Sequence, residues 1–108
     1  MTAVGIETVG VVGAGFMGSG IAESVARAGT RVRLYEQDER ALDRSRERID
    51  ASVGKAVARG KLSEDEAAAL IGRIDWTTDL DALADAQIAI EAVTEDEAIK
   101  REVFAQLD

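Results

Sequence analysis

The chain has 108 residues, of which 13 are Lys or Arg and 21 are Asp or Glu, giving a formal net charge of −8; this length allows one domain with a buried core. Because the sequence contains no cysteine and no histidine, it excludes disulfides, thiolate nucleophiles, zinc fingers and a histidine acid or base within these residues. An isoelectric point near 4.5 disfavours binding to nucleic acid or an anionic membrane, and no segment is typical of a targeting signal or membrane span, so we expect a cytoplasmic protein.

The first half of the chain alternates between strand and helix patterns. Residues 8–13 form an apolar run typical of a buried parallel strand, and residues 30–36 alternate as a second strand does. Between them residues 16–28 predict a helix that ends at Gly29, and Asp38 can cap a longer helix after the second strand. The predicted apolar face of the first helix consists of Met17, Ile21, Ala22, Val25 and Ala28, and that of the second of Leu42, Ile49, Val53, Ala56 and Gly60.

The second half contains shorter elements. Ser63 and Glu66 have the spacing of a capping box, which predicts a helix ending near Gly72. Thr94 and Glu97 repeat that spacing at the start of a final helix. A third strand is predicted at residues 73–77, one helical turn at residues 79–83 and a fourth strand at residues 86–93.

The order of these elements predicts an α/β fold. Strands connected through helices imply right-handed crossovers and a parallel sheet with helices on both faces. About four strands fit in residues 1–108, and no linker or internal repeat divides them. The whole chain is therefore expected to belong to one domain.

A glycine-rich loop joins the first strand to the first helix. Gly13 permits a tight turn, Gly15 lets the backbone approach a pyrophosphate, and Gly18 lets the helix lie close to the sheet. The helix start then presents unpaired N–H groups and a partial positive charge to an anion. This context favours dinucleotide binding by a Rossmann-type domain over a glycine turn without a ligand.

Glu36 ends the second predicted strand, 21 residues after Gly15. A carboxylate at this spacing accepts hydrogen bonds from the adenosine ribose and repels the extra phosphate of NADP. The alternative is an ordinary surface carboxylate. Arg40 is the one nearby residue that favours NADP, and we expect the cofactor to be NAD.

Two blocks of sequence carry a resemblance to a known family. Residues 11–22 read Val-Val-Gly-Ala-Gly-Phe-Met-Gly-Ser-Gly-Ile-Ala, and residues 90–95 read Ile-Glu-Ala-Val-Thr-Glu, with Lys100 further on. Together they resemble the NAD-binding domain of the 3-hydroxyacyl-CoA dehydrogenase family, nearest to its 3-hydroxybutyryl-CoA dehydrogenase branch. The resemblance spans nearly all 108 residues in order.

The resemblance implies NAD-dependent interconversion of 3-hydroxyacyl-CoA and 3-ketoacyl-CoA, and it implies roles for individual residues. Glu95 and Lys100 match positions near the ribose on the nicotinamide side; otherwise Glu95 stabilises a helix start and Lys100 is a solvated charge. The full set of cofactor-binding residues that it implies is Gly13, Gly15, Phe16, Met17, Gly18, Glu36, Ala92, Val93, Glu95 and Lys100.

The second predicted helix is a basic segment in an acidic chain. Residues 38–61 contain seven basic and five acidic side chains, and a polar stripe lies about a quarter turn from the apolar one. The resemblance implies that Ser52 and Arg59 on this stripe bind the CoA nucleotide and phosphates. The alternative is an exposed helix with internal salt bridges. The stripe consists of Ser45, Arg48, Ser52, Lys55 and Arg59.

No catalytic or metal-binding residue is predicted in this chain. The histidine and glutamate that catalyse the family reaction, and a helical dimerisation domain, lie beyond the segment that the resemblance covers. The acidic residues 64–66 would diverge on a helix, and Trp76 and Tyr35 are expected to pack against helices.

We therefore expect these 108 residues to bind NAD without turnover, as part of a longer, homodimeric enzyme that acts on acyl-CoA. Two alternatives remain open. One is a related β-hydroxyacid or L-gulonate dehydrogenase, and the other is a non-catalytic NAD-sensing module.

Overall fold

The computed structural model describes residues 7–84 and 86–92, which form a parallel sheet, three α-helices and one 3₁₀ turn. Val93 and the predicted final helix lie outside the described residues. The strand and helix types and their order agree with the sequence prediction, and their ends agree to within three residues. The elements are β1 (Thr8–Val12), α1 (Phe16–Arg27), β2 (Arg31–Tyr35), α2 (Glu39–Ala58), α3 (Glu64–Gly72), β3 (Ile74–Thr77), the 3₁₀ turn (Leu80–Leu83) and β4 (Ile88–Glu91).

The four described strands are parallel and lie in the order β3-β2-β1-β4. Val9 of β1 is paired with Val32 of β2 on one side and with Ile88 of β4 on the other. The chain builds the sheet outward from β1 to β3 and then crosses back to place β4 on the opposite side of β1. This order is that of an open, doubly wound α/β sheet.

The two faces of the sheet are covered differently within the described residues. Alternate strand residues, such as Val11 and Leu34, face one side, where they pack in a core with α1, α2 and α3. Val12 faces the other side and packs with Leu83 of the 3₁₀ turn and with Tyr35. The α-helices described thus lie on one face, and the 3₁₀ turn lies on the other.

Helix α1 packs through small side chains. The prediction that Met17 and Ala28 face the core is wrong, because both are exposed. Hydrophobic spacing predicts that the larger apolar side chains face the core. This helix lies so close to the sheet that its buried face has room for little beyond a methyl or hydroxyl group. That face consists of Gly18, Ser19, Ala22 and Ala26.

Helix α2 largely follows its predicted face, since Leu42, Ile49, Val53 and Ala56 are buried. Gly60 does not belong to that face. It lies after the helix end with φ +73°, a left-handed conformation that glycine adopts readily and that terminates helices. No helix within residues 7–84 and 86–92 combines the length and apolar character needed to cross a bilayer.

Side chains cap α2 and α3 as predicted. The Asp38 carboxylate accepts a hydrogen bond from Arg40 N–H at 3.0 Å. In the capping box of α3, Glu66 N–H donates to Ser63 Oγ at 3.0 Å, and Ser63 N–H donates to Glu66 Oε1 at 2.8 Å. The Ser63 backbone N–H, followed by the Ser63 side chain, lowers the pKa of Glu66 from its ordinary value.

A lowered pKa in the folded chain means that ionised Glu66 contributes stability at neutral pH, and that this contribution is lost as the pH falls through the folded-state pKa. We expect wild type to melt at a higher temperature than Glu66→Gln at neutral pH, with the gap closing below about pH 4. Thermal melts of both proteins across this range measure the gap. A gap that stays constant with pH would contradict the assignment.

Candidate functional site

The carboxyl ends of the strands meet at one edge of the sheet, where the predicted site lies. Gly13 follows β1, Glu36 follows β2 and Ala92 follows β4. The connection that follows β1, through α1, lies on one face of the sheet, and the connection that precedes β4, through the 3₁₀ turn, lies on the other. This arrangement leaves a crevice beyond the carboxyl ends of β1 and β4. Open α/β sheets bind their ligands in such a crevice.

Two glycines of the loop are required by the protein itself. Gly13 is buried with φ +104°, and its N–H donates to the Tyr35 carbonyl at 2.8 Å. A Cβ added to Gly18 would lie 1.7 Å from the Gly13 carbonyl oxygen. The first glycine therefore makes the turn, and the other lets α1 begin directly against it.

Neither the backbone conformation at position 15 nor packing within the protein requires a glycine there. Its φ of −75° and ψ of −161° are accessible to any residue. It is exposed, and a Cβ added there would meet no atom within 4 Å. The volume that this glycine leaves open lies outside the protein, where a side chain would interfere only with a ligand.

Helix α1 starts without a cap from its own chain. Gly15 is its N-cap residue and provides no side chain, and no acidic residue lies in the first turn. By contrast, Asp38, Ser63 and Asp79 each accept a backbone N–H at the start of the helix or turn that they cap. The first amides of α1 and the positive end of its dipole therefore face the crevice and suit an anion.

Two predicted binding residues flank this helix start with exposed side chains. Phe16 is 82% exposed and Met17 is 53% exposed, although both are large and apolar. Both residues lie in the first turn of α1, at the rim of the crevice. Their backbone amides therefore belong to the turn that no side chain caps. The structure thus places Gly13, Gly15, Phe16, Met17 and Gly18 together, as the motif predicts.

Glu36 lies beside the glycine loop. Its Oε1 accepts a hydrogen bond from Ala14 N–H at 3.1 Å, and its Oε2 accepts one from Asp38 N–H at 3.2 Å. Its own N–H donates to the Thr77 carbonyl at 3.0 Å. Each carboxylate oxygen keeps further acceptor capacity for hydroxyl groups of a ligand.

Ala92 connects β4 to the same loop. Its N–H donates to the Val12 carbonyl at 2.8 Å, and its side chain is buried next to Gly18. It directly follows β4, whereas the sequence pattern predicted that the strand would include it. Val93, Glu95 and Lys100 lie outside the described residues.

The two predicted CoA-binding residues lie away from the loop, on α2 and at its end. Ser52 is exposed, and its hydroxyl donates to Glu23 Oε2 of α1 at 2.8 Å. Arg59 is the exposed C-cap residue of α2. Ser45, which was predicted to share their polar stripe, is fully buried, because its hydroxyl faces α1 and β3 and bonds to side chains there.

Arg48 lies beside the glycine loop, where the sequence analysis did not place it. Its guanidinium lies over the Phe16 ring, 4.7 Å from the centroid, and Nη1 is 3.5 Å from Ser19 Oγ. Within the described part of the chain, no carboxylate lies at ion-pair distance from Arg48. The exposed aromatic residue at the start of α1 was the available signal, since arginine commonly stacks on aromatic rings.

A groove of about 290 Å³ lies elsewhere, between the end of α1 and α3. It is lined by residues such as Arg27, Leu62 and Arg73, and it contains no residue of the glycine loop. This groove therefore does not coincide with the open crevice where the loop, the uncapped helix and Glu36 meet.

Comparisons with known proteins bear on this site. Residues 8–108 match the family model described as 3-hydroxyacyl-CoA dehydrogenase, NAD binding domain. A 3-hydroxybutyryl-CoA dehydrogenase of Mycobacterium tuberculosis is 52% identical over 103 residues, which cover 95% of this chain and 36% of that protein. The chain thus spans little more than a third of the length of this relative.

Solved structures agree with the sequence match. The crystal structure of M. tuberculosis FadB2 has a TM-score of 0.91 at 52% identity, covering 95% of this chain and 36% of that one. (S)-3-hydroxybutyryl-CoA dehydrogenase PaaH1 from Ralstonia eutropha has a TM-score of 0.89 at 34% identity, covering 94% and 36%. These matches confirm the predicted Rossmann-type fold, the resemblance and the cofactor, and the chain belongs to the 3-hydroxyacyl-CoA dehydrogenase family as its NAD-binding domain.

Proposed function

We propose that this chain is the cofactor-binding part of an enzyme that interconverts 3-hydroxyacyl-CoA and 3-ketoacyl-CoA with NAD, with a short acyl chain such as 3-hydroxybutyryl. The observation that carries the proposal is the open volume at Gly15, next to a helix start that no side chain caps. The names of the relatives support the substrate class.

The residues at the crevice fit NAD. The amides at the start of α1 would hold the diphosphate, with Gly15 allowing its close approach. Glu36 would accept hydrogen bonds from the adenosine ribose hydroxyls, because its carboxylate lies at the loop with free acceptor capacity. When bound, NAD supplies the nicotinamide ring that exchanges a hydride with the substrate.

The nicotinamide side of the cofactor is assigned to residues after β4. Ala92 ends that strand against the loop, and Val93, Glu95 and Lys100 follow it in sequence. We expect Glu95 and Lys100 to contact the second ribose, a role that rests on the family resemblance. Ala92 contributes through its packing against Gly18, which holds the strand end close to the loop.

Proton transfer is assigned to groups outside these 108 residues. Oxidation of a hydroxyl requires a base that titrates near neutral pH, and the chain has no histidine to provide one. The relative is more than two and a half times as long, which leaves room for a catalytic histidine and glutamate and for a helical dimerisation domain. We expect the longer enzyme to be a cytoplasmic homodimer.

The acyl-CoA is proposed to lie along α2, with Ser52 and Arg59 near its nucleotide and phosphates. Both residues are exposed. Ser52 donates its proton to Glu23 but keeps lone pairs to accept a hydrogen bond. The forked guanidinium of Arg59 suits a phosphate group.

Substitutions at Gly15 and Gly18 are expected to have two different kinds of effect. Gly15→Ala should fold normally, because its added methyl meets no protein atom, and it should weaken NAD binding by obstructing the diphosphate. Gly18→Ala should lose about 1–3 kcal/mol of stability or more, since its methyl would overlap the Gly13 carbonyl. Thermal melts and calorimetric NAD titrations measure both. The assignment of Gly15 to the diphosphate fails if Gly15→Ala binds NAD as tightly as wild type.

Glu36 can be tested by selectivity as well as affinity. We expect Glu36→Ala to weaken NAD binding by about 1–3 kcal/mol through lost hydrogen bonds, and to weaken NADP binding less because a repulsive charge is also removed. Asp75→Ala is a matched control that removes a carboxylate in the middle of β3. An unchanged ratio of NAD to NADP affinity in Glu36→Ala would remove this residue from the ribose site.

Arg59→Ala should leave NAD binding unchanged and weaken CoA binding, with the largest loss at low ionic strength. Arg31→Ala removes an exposed arginine at the amino end of β2 and serves as the control. Titration of both variants with NAD and CoA distinguishes a CoA contact from a structural charge. Equal losses for the two ligands would show that Arg59 acts on the fold.

A further inference from the structure

A chain of buried hydrogen bonds connects three elements to the glycine loop. Ser19 of α1 and Ser45 of α2 are 1% and 0% exposed, and their hydroxyl oxygens are 2.8 Å apart. Trp76 Nε1 of β3 lies 3.2 Å from Ser45 Oγ, and Ser19 Oγ lies 3.3 Å from the Ala14 carbonyl oxygen. Two buried serines therefore link a tryptophan to the loop.

The Trp76 indole and the Ala14 carbonyl, at the two ends of this hydrogen-bond network, determine the direction of every hydrogen bond in it. An indole N–H only donates and a carbonyl oxygen only accepts. The Trp76 N–H therefore donates to Ser45, the Ser45 hydroxyl donates to Ser19, and the Ser19 hydroxyl donates to the Ala14 carbonyl. Within the described residues, no buried side-chain nitrogen or oxygen lacks a partner. A fully satisfied buried network of this kind holds its members rigidly.

The last bond of the chain orients the peptide group between Ala14 and Gly15. The described residues contain no cis peptide, and in a planar trans peptide the carbonyl and the N–H point in opposite directions. Because the Ala14 carbonyl is held towards the buried Ser19, the Gly15 N–H points away from the core. Gly15 is exposed, and no acceptor in the described part of the chain meets this N–H.

We propose that Ser19 and Ser45 are positioning residues, which preset the Ala14–Gly15 peptide so that its N–H faces the diphosphate of the cofactor. The inference rests on the proposed function, since it assigns a task to residues that lie beneath the same site. A rotated peptide would turn the Ala14 carbonyl towards the diphosphate and repel it. Arg48 adds a second donor to Ser19 from the rim of the crevice, 3.5 Å away.

The test compares ligands with and without a diphosphate. In Ser45→Ala, the Ser19 hydroxyl loses the donor that directs its own proton to the Ala14 carbonyl, and we expect NAD and ADP to bind about five- to tenfold more weakly while adenosine binds as it does to wild type. Ser63→Ala is the matched control, because it removes a serine hydroxyl from the α3 capping box without touching the loop. It should lower the melting temperature and leave all three affinities unchanged. Equal losses for NAD and adenosine in Ser45→Ala, or no loss for either, would overturn the proposal.

A measurement without ligand separates this inference from the proposed function. In ¹⁵N-labelled protein, Ser45→Ala should shift the amide resonance of Gly15, and Ser19→Ala should shift the indole resonance of Trp76, although neither pair is in direct contact. If wild type binds neither NAD nor ADP, the proposed function fails, while the two resonances still decide whether the network orients the loop. Unmoved resonances would overturn the network itself.

Trp76→Phe provides a second variant should Ser45→Ala fail to fold. Trp76 is only half-buried, and its replacement removes the donor at the outer end of the network while an aromatic ring stays in place. The expected result is a smaller loss of NAD and ADP affinity in the same direction, again without a loss for adenosine. A loss shared by adenosine would contradict the proposal.

Discussion

The approach of helix α1 to the end of strand β1 determines where every part of the candidate site lies. At Gly18 the helix is so close to the Gly13 carbonyl that there is no space for a side-chain carbon. This contact aims the helix start at the crevice between β1 and β4, and it brings the loop within hydrogen-bond distance of Glu36. A helix held farther from the sheet would direct its dipole and its first amides elsewhere.

The same approach explains the composition of the core beneath the loop. Helix α1 is buried through glycine, alanine and serine, because larger side chains would push it away from the sheet. The serine hydroxyl in this face needs a partner in the interior, and Ser45 of the neighbouring helix provides it. The close contact between α1 and the sheet and the buried hydrogen bond between Ser19 and Ser45 therefore occur together, directly under the residues assigned to the cofactor.

Much of this arrangement could be predicted from the sequence, because it depends on local patterns. Strand and helix spacing, the capping residues Asp38 and Ser63, and the spacing from Gly15 to Glu36 each depend on neighbouring residues or on a short βαβ unit. The family resemblance then extended the prediction to positions after β4, of which Ala92 is described. The assignments of Ser52 and Arg59 to CoA stay predictions.

Features that depend on contacts between distant elements could not be predicted. Helical spacing placed Met17 on the apolar face of α1 and Ser45 on the polar stripe of α2, yet Met17 is exposed and Ser45 is buried, because the neighbouring elements decide which side chains fit. The location of Arg48 over Phe16 depends on how α2 crosses α1, which the residue pattern within either helix does not determine. Gly60 fitted a helical period but ends the helix instead, since its positive φ is decided by the turn that follows.

The central claim is that the amides at the start of α1 hold the diphosphate of NAD. A crystal structure of the protein with bound NAD tests it most directly, through the distances from the diphosphate oxygens to the backbone nitrogens of Gly15, Phe16 and Met17. The account predicts hydrogen bonds of about 3 Å to these nitrogens, with the adenosine ribose at Glu36. A diphosphate bound elsewhere on the protein, with these amides facing water, would contradict it.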